Sequence, residues 1–141
     1  MSGQVEASRE LGDLLFFAVD HGVESIRDGG PLIPFVVVEI GGERRLTRFA
    51  AERLEEGVAQ AAAFANAQLR EVDRCALAWD GYITIPGDER RDAIYVEGTE
   101  RGRTNSVVLG QRYLPRRRLR KFTTIGNPAL LQDSPRRLTK R

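Results

Sequence analysis

Histidine and cysteine, the residue types that most often bind metals or act as nucleophiles, are almost absent from this chain. It has one histidine, His21, and one cysteine, Cys75, which are 54 residues apart. One cysteine excludes an internal disulfide, and this pair lacks the spacing of a zinc site. We therefore expect no metal and no cofactor. A free thiol on an apolar strand is typical of a protein in a reducing cytoplasm.

Long apolar runs and targeting signals are also missing. No stretch approaches the run of about 18 apolar residues that a membrane-spanning helix needs. The first 15 residues carry acids where a signal peptide would carry positive charge. These absences predict a cytoplasmic protein without a membrane partner. Its 141 residues fit one domain, which we place at residues 1–131, followed by a frayed basic tail at 132–141.

No catalytic motif is recognisable in the sequence. Asp20, His21 and Ser25 invite comparison with a nucleophilic triad, but adjacent helical residues point about 100° apart, so Asp20 cannot orient the imidazole. The nucleophile-elbow and phosphate-loop patterns are absent. The three residues are better interpreted as a polar cluster near a helix C-terminus, where the helix dipole favours an imidazolium. The sequence favours a non-enzymatic protein with no catalytic residue.

Hydrophobic periodicity predicts two helices, at residues 5–27 and 50–71, and several strands. An apolar run, a turn at Gly41-Gly42 and an arginine-rich return strand predict a hairpin at a sheet edge. Three further strands joined by short turns indicate an antiparallel meander. The predicted fold class is α+β: an antiparallel sheet of five to six strands with two helices, in the order α-β-β-α-β-β-β plus a C-terminal basic segment.

Two finer predictions concern the strands. Cys75, Leu77 and Trp79 alternate with Ala76, Ala78 and Asp80, so they face opposite sides of the sheet, and Gly81 is predicted to form a bulge in which Asp80 bonds the local backbone. The optional sixth strand is placed at Leu119 to Ile125, followed by a turn at Gly-Asn-Pro.

An enzymatic alternative depends on isolated carboxylates. A partly buried, unpaired Asp80 would have a raised pKa suited to acid–base chemistry. Glu39 and Glu97 are the other acids that such an enzyme would use. A deep pocket around Asp80 would favour this alternative, and a packed sheet face would argue against it.

Charge is divided unevenly along the chain. Residues 1–111 have a net charge of −7, and residues 112–141 have +9. The basic segment is expected to dock on the acidic body, within one chain or across a dimer. Alternatively it binds phosphates, with Tyr113 and Phe122 stacking on bases. The candidate residues for a polyanion or an acidic partner are Arg112, Arg116, Arg117, Arg118, Arg120 and Lys121.

These features lead to two main functional hypotheses. The first is a non-enzymatic protein–protein interaction or scaffold domain that forms a homodimer, because small sheets with free edges often pair across a two-fold axis. Its partner is itself or an acidic protein surface. The second is a nucleic-acid-binding accessory protein that uses residues 112–121.

Overall fold

A computed structural model describes residues 7–139 of the chain, and it confirms the predicted α+β fold. Residues 5 and 6 of the first predicted helix lie outside the described residues. Within residues 7–139 the element order is α-β-β-α-β-β-β-β, with two helices and six strands. The elements are α1 (Arg9–Ile26), β1 (Phe35–Ile40), β2 (Glu43–Arg48), α2 (Leu54–Gln68), β3 (Arg74–Thr84), β4 (Arg90–Glu100), β5 (Val107–Leu114) and β6 (Thr123–Leu130).

All six strands form one antiparallel sheet in the order β2-β1-β3-β4-β5-β6. The arginine-rich β2 lies at an edge, as predicted. Its hairpin turns at Gly41 and Gly42, which have φ of 58° and 86°, values that favour glycine. After β2 the chain forms α2 and returns as β3 beside β1, so β1 and β3 occupy the interior of the sheet.

The alternation of β3 separates two hydrophobic cores. Ala76 and Ala78 pack in the core under α1, whereas Cys75, Leu77 and Trp79 pack in the core under α2. We call these the first and the second core. The predicted alternation is therefore confirmed, and one helix packs on each face of the sheet.

The bulge predicted at Gly81 is wrong. The ladder between β3 and β4 continues without interruption, and Gly81 pairs with Ala93. A Cβ atom at Gly81 would lie 2.9 Å from Cε2 of Tyr95, whose ring crosses above it. The glycine is thus explained by the close approach of a ring and not by an irregular backbone.

The sixth strand is present but displaced, and the turn predicted at Gly126-Asn127-Pro128 is wrong. These residues lie inside β6, which begins at Thr123 and not at Leu119. Gly110 faces Ala129 and Arg112 faces Ile125, so three residues of β6 bulge opposite Gln111. The buried amide of Gln111 donates to the carbonyl oxygen of Gly126 at 3.1 Å. This side chain supplies hydrogen bonding that the ladder lacks at the bulge.

Residues 137–139, which we call the strap, lie on the face of the sheet that α2 covers. Leu138 is 6% exposed and belongs to the second core. Lys140 and Arg141, at the end of the predicted frayed tail, lie outside the described residues. In the part of the chain that the structure describes, neither helix has the length and apolar character to cross a membrane.

We predict that Gly98→Ala destabilises the fold, because α1 packs directly on this glycine of β4. A Cβ atom there would lie 2.6 Å from Cδ2 of Leu15, and overpacking a core typically costs about 1–3 kcal/mol. Gly12→Ala on α1 is the matched control, since nothing lies within 4 Å of its Cβ position. It should stabilise by about 0.5–1 kcal/mol. Urea unfolding of both variants measures the effect, and equal stabilities would contradict the packing.

Candidate functional site

The connection between β5 and β6 combines a cluster of cations with an exposed leucine. We call this connection, residues 115–122, the basic loop. Its tip is closed by two main-chain hydrogen bonds between Arg117 and Arg120, at 2.9 and 3.0 Å. Leu119 stands at this tip and is 98% exposed. The loop presents five cations around that leucine: Arg116, Arg117, Arg118, Arg120 and Lys121.

The basic loop is held against the C-terminal end of α1. Arg116 donates from Nη1 to the carbonyl oxygen of Asp28 at 3.0 Å. The guanidinium of Arg27 lies 5.8 Å from the ring centre of Phe122. A cation is favoured at this place, because the last carbonyl groups of a helix carry partial negative charge.

Few of the candidate binding residues are neutralised by the chain itself. Arg112 forms an ion pair with Asp88, Nη1 to Oδ2 at 3.0 Å. The cations of the basic loop form no ion pair with any residue between 7 and 139. Among the six candidate residues, ion pairing with acidic side chains of the chain's own body is therefore limited, in the described residues, to the Arg112–Asp88 pair.

The two aromatic rings expected to stack on nucleic-acid bases face inward. Tyr113 is 5% exposed and lies in the first core. Its ring stacks on Phe122 with 5.4 Å between ring centroids. Base stacking needs an accessible ring face. In Tyr113 and Phe122 the faces that stack on each other are not accessible to a base.

Asp80 is a structural acceptor at the edge of the first core. Its Oδ1 accepts a hydrogen bond from the hydroxyl of Tyr113 at 2.8 Å. Burial, and secondarily the charge of Asp92, raise the pKa of Asp80, although the Tyr113 hydrogen bond opposes this change. Burial and the bond to Asp80 raise the pKa of Tyr113 in turn. The Asp80 carboxylate, which the sequence suggested as an acid–base group, is thus hydrogen-bonded to a buried tyrosine on a packed face of the sheet.

Glu39 and Glu97, the other acids considered, lie apart from Asp80. Glu39 accepts from Nε of Arg44 and Nη1 of Arg74, both at 2.9 Å, so two guanidinium groups neutralise it. It lines a cleft of about 360 Å³ at the opposite end of the α1 face. Glu97 belongs to the other face and is fully buried. The three carboxylates therefore do not form one site.

Sequence reasoning missed the polar contacts of the strap. Glu97 accepts hydrogen bonds from the main-chain nitrogens of Arg137 and Leu138, and Asn66 of α2 bonds the main chain of Arg137 and Thr139. The one sequence signal was an acidic residue inside the apolar run of β4. It does not identify a partner that lies 41 residues away along the chain.

His21 is a neutral acceptor and not the imidazolium that the sequence favoured. Its ring packs edge-on against Phe35, with 5.0 Å between centroids, and its Nε2 lies 2.9 Å from Nη2 of Arg48. A guanidinium only donates, so Nε2 accepts. Ser25 donates instead to the carbonyl oxygen of Gly22 at 2.8 Å. Burial, and then the charge of Arg48, lower the pKa of His21.

We predict that an NMR titration of the single imidazole gives a pKa below the ordinary value of about 6.5. Folding then favours neutral His21, so its contribution to stability is present above that pH and is lost as the pH falls. Arg48→Gln should move the pKa back upward, because it removes the nearby positive charge. A pKa above 6.5 in the folded wild type would contradict the contact.

We also predict that Asp80→Asn raises the denaturation midpoint at pH 7 and changes it little at pH 3. The raised pKa of Asp80 means that its ionised form opposes folding, and this cost develops as the pH rises. Asparagine keeps an oxygen that accepts from Tyr113. Asp133→Asn, at an exposed position, is the control that should show no such trend. Lower stability of Asp80→Asn at pH 7 would reject this account.

Neither metal ligands nor relatives indicate a function. Among residues 7–139, no three side chains of His, Cys, Asp or Glu converge into a set that could hold a metal ion. No protein-family model, no curated protein and no solved structure matches the chain.

Proposed function

We propose that the chain is a homodimeric protein-interaction domain in which the basic loop of one copy contacts an acidic surface of the other. The proposal depends on the exposure of the loop's leucine and on the unpaired charges around it. Leu119 is 98% exposed, and the cations around it lack carboxylate partners among the described residues. An exposed apolar side chain framed by unpaired charges is suited to a partner with an apolar contact and opposite charge.

The chain itself carries such a surface on the solvent side of α1. Four acids recur there at three-, seven- and four-residue steps, which places them along one side of the helix. Phe16 lies beside them and is 51% exposed. We call the four residues the acidic stripe; they are Glu10, Asp13, Asp20 and Glu24.

The acidic stripe also forms few ion pairs within the described part of its own chain. Glu24 pairs with Arg27 at 3.1 Å, and both side chains are more than half exposed. Glu10, Asp13 and Asp20 form no ion pair with any residue between 7 and 139. A two-fold axis would use each surface twice, with loop on stripe in both directions. Phe16 and Leu119 supply apolar contacts, and the charges supply orientation.

Nucleic-acid binding through residues 112–121 is the weaker alternative. The inward rings of Tyr113 and Phe122 leave only phosphate contacts for the loop. Phosphate contacts alone give binding that is non-specific and strongly dependent on salt. The acidic stripe on the helix that anchors the loop would repel a polyanion.

The remaining features fit a protein of the cytoplasm. Cys75 is a free, buried thiol, which a reducing compartment preserves. The carboxylates considered for an enzyme are each held by other groups and lie in separate places. A scaffold role needs only the surface complementarity described above.

We predict a charge-swap result. A loop variant carries Arg117→Glu, Arg118→Glu and Lys121→Glu, and a stripe variant carries Asp13→Lys, Asp20→Lys and Glu24→Lys. Wild type should sediment as a dimer, and each variant alone as a monomer, because like charges then face each other. An equimolar mixture of the two variants should restore a heterodimer, since both contacts again join opposite charges.

The control reverses two exposed arginines outside both surfaces, Arg45→Glu and Arg70→Glu, and should leave the dimer intact. A wild-type monomer at the highest soluble concentration, or a mixture that stays monomeric, would reject the homodimer. Salt-dependent binding of mixed-sequence DNA or RNA by wild type, lost in the loop variant, would establish the alternative in its place.

A further inference from the structure

A fully buried carboxylate underlies the strap. Glu97 lies in the middle of β4 with an exposure of 0%. Its Oε1 accepts from the main-chain nitrogen of Arg137 at 2.8 Å, and its Oε2 accepts from that of Leu138 at 2.9 Å and from the hydroxyl of Ser106 at 2.7 Å. A buried charge is costly unless donors surround it. Two of these three donor groups belong to the strap. If the strap left, Glu97 would lose them, and binding of another peptide main chain that supplies the same donors would be favoured.

Asn66 recognises the main chain of the strap from the side of α2. Its Nδ2 donates to the carbonyl oxygen of Arg137 at 2.9 Å, and its Oδ1 accepts from the main-chain nitrogen of Thr139 at 2.7 Å. The amide therefore brackets Leu138 with one donor and one acceptor. These contacts are made to main-chain groups, so they do not depend on the side chains of the bound segment.

Three side chains of the strap add selectivity. Leu138 fills a place in the second core. The guanidinium of Arg137 lies 4.7 Å from the ring centre of Trp79, which stacks on Tyr95 at 5.3 Å. The hydroxyl of Thr139 lies 3.1 Å from Oδ1 of Asn66. The groove thus fits a segment of three consecutive residues: one with a cationic side chain, a leucine, and one with a hydroxyl group.

The connection to the strap has few contacts of its own. Gln132, Asp133, Pro135 and Arg136 are exposed. Arg136 donates to the carbonyl oxygens of Leu131 and Ser134, which lie within the connection itself. The contacts that hold the strap are made by residues 137–139, and none of them requires the strap to belong to the same chain.

We propose that the groove formed by Asn66, Trp79 and Glu97 is a peptide-binding site for a cation–leucine–hydroxyl segment, and that the strap of a second copy occupies it in exchange with the chain's own. A second copy is the occupant because it carries the sequence that the groove already fits. The tethered strap competes at an effective concentration on the order of millimolar. Exchange therefore becomes visible when the chain's own strap is released. The proposal requires neither the basic loop nor the acidic stripe.

The test mixes two variants with complementary defects. Asn66→Ala weakens the groove and keeps the strap, whereas Leu138→Asp releases the strap and keeps the groove. Both chains also carry Arg117→Glu and Arg118→Glu, which remove the proposed contact between the basic loop and the acidic stripe. Any heterodimer that forms then depends on the strap alone. Each variant alone should be a monomer, and the mixture should form a 1:1 heterodimer in sedimentation velocity. The emission of Trp79, the single tryptophan, should change on mixing.

A synthetic peptide with the sequence of residues 132–139 gives an independent measurement. It should bind the Leu138→Asp chain at least tenfold more tightly than wild type, because wild type holds its own strap in the groove. A peptide with aspartate in place of the leucine should not bind. Gln68→Ala is the matched control for Asn66→Ala, since Gln68 bonds within α2. It should not produce a heterodimer.

A folded Leu138→Asp chain that binds neither the peptide nor the Asn66→Ala chain would overturn the proposal and make the strap a fixed part of the fold. If Leu138→Asp does not fold, a protease site at residues 132–133 of the full chain releases the strap after folding. The cleaved strap should then exchange with labelled peptide. A strap that stays bound without exchange over days would equally reject the site.

Discussion

Two helices cannot cover both faces of a six-stranded sheet, and this shortage determines where the polar features of the molecule lie. A helix is about 10 Å wide and strands are about 4.8 Å apart, so one helix covers about two strands. α1 packs on β3 and β4, and α2 packs on β1 and β3. The strap closes the α2 face over β4, and the stacked rings of Tyr113 and Phe122 close the α1 face over β5.

Buried polar side chains set the arrangement in these gaps. Glu97 positions the strap through main-chain donors, Gln111 positions the bulge of β6, and Asp80 positions the ring of Tyr113 that supports the basic loop. Leaving one such group unsatisfied costs about 1–3 kcal/mol, more than a typical hydrogen bond contributes. Alternative registers of the strap or of β6 would leave one of these groups without a partner. Polar satisfaction therefore selects a single arrangement where apolar packing alone would permit several.

The sequence predicts what depends on neighbouring residues and fails where distant segments meet. The alternation from Cys75 to Trp79 and the glycine turn of the first hairpin are local patterns, and both are confirmed. The bulge of β6 depends on Gln111, which lies 15 residues before Gly126. The strap depends on Glu97, 41 residues before Leu138. In the candidate site, the run of cations was visible in the sequence. The exposure of Leu119 and the burial of Tyr113 were not, because both follow from where the strands end.

The charges of the basic loop and the acidic stripe are kept apart at little cost to stability, which is compatible with the proposed association. An exposed ion pair typically contributes about 0–1 kcal/mol, so pairing these charges within one chain would stabilise the fold little. Arg116 donates to a carbonyl oxygen at the end of α1 and pairs with no carboxylate of that helix among the described residues. Charges kept apart in this way set up complementary fields, which speed encounter and fix orientation between two molecules. The cost to the fold is small, and two surfaces of opposite sign remain available to a second copy.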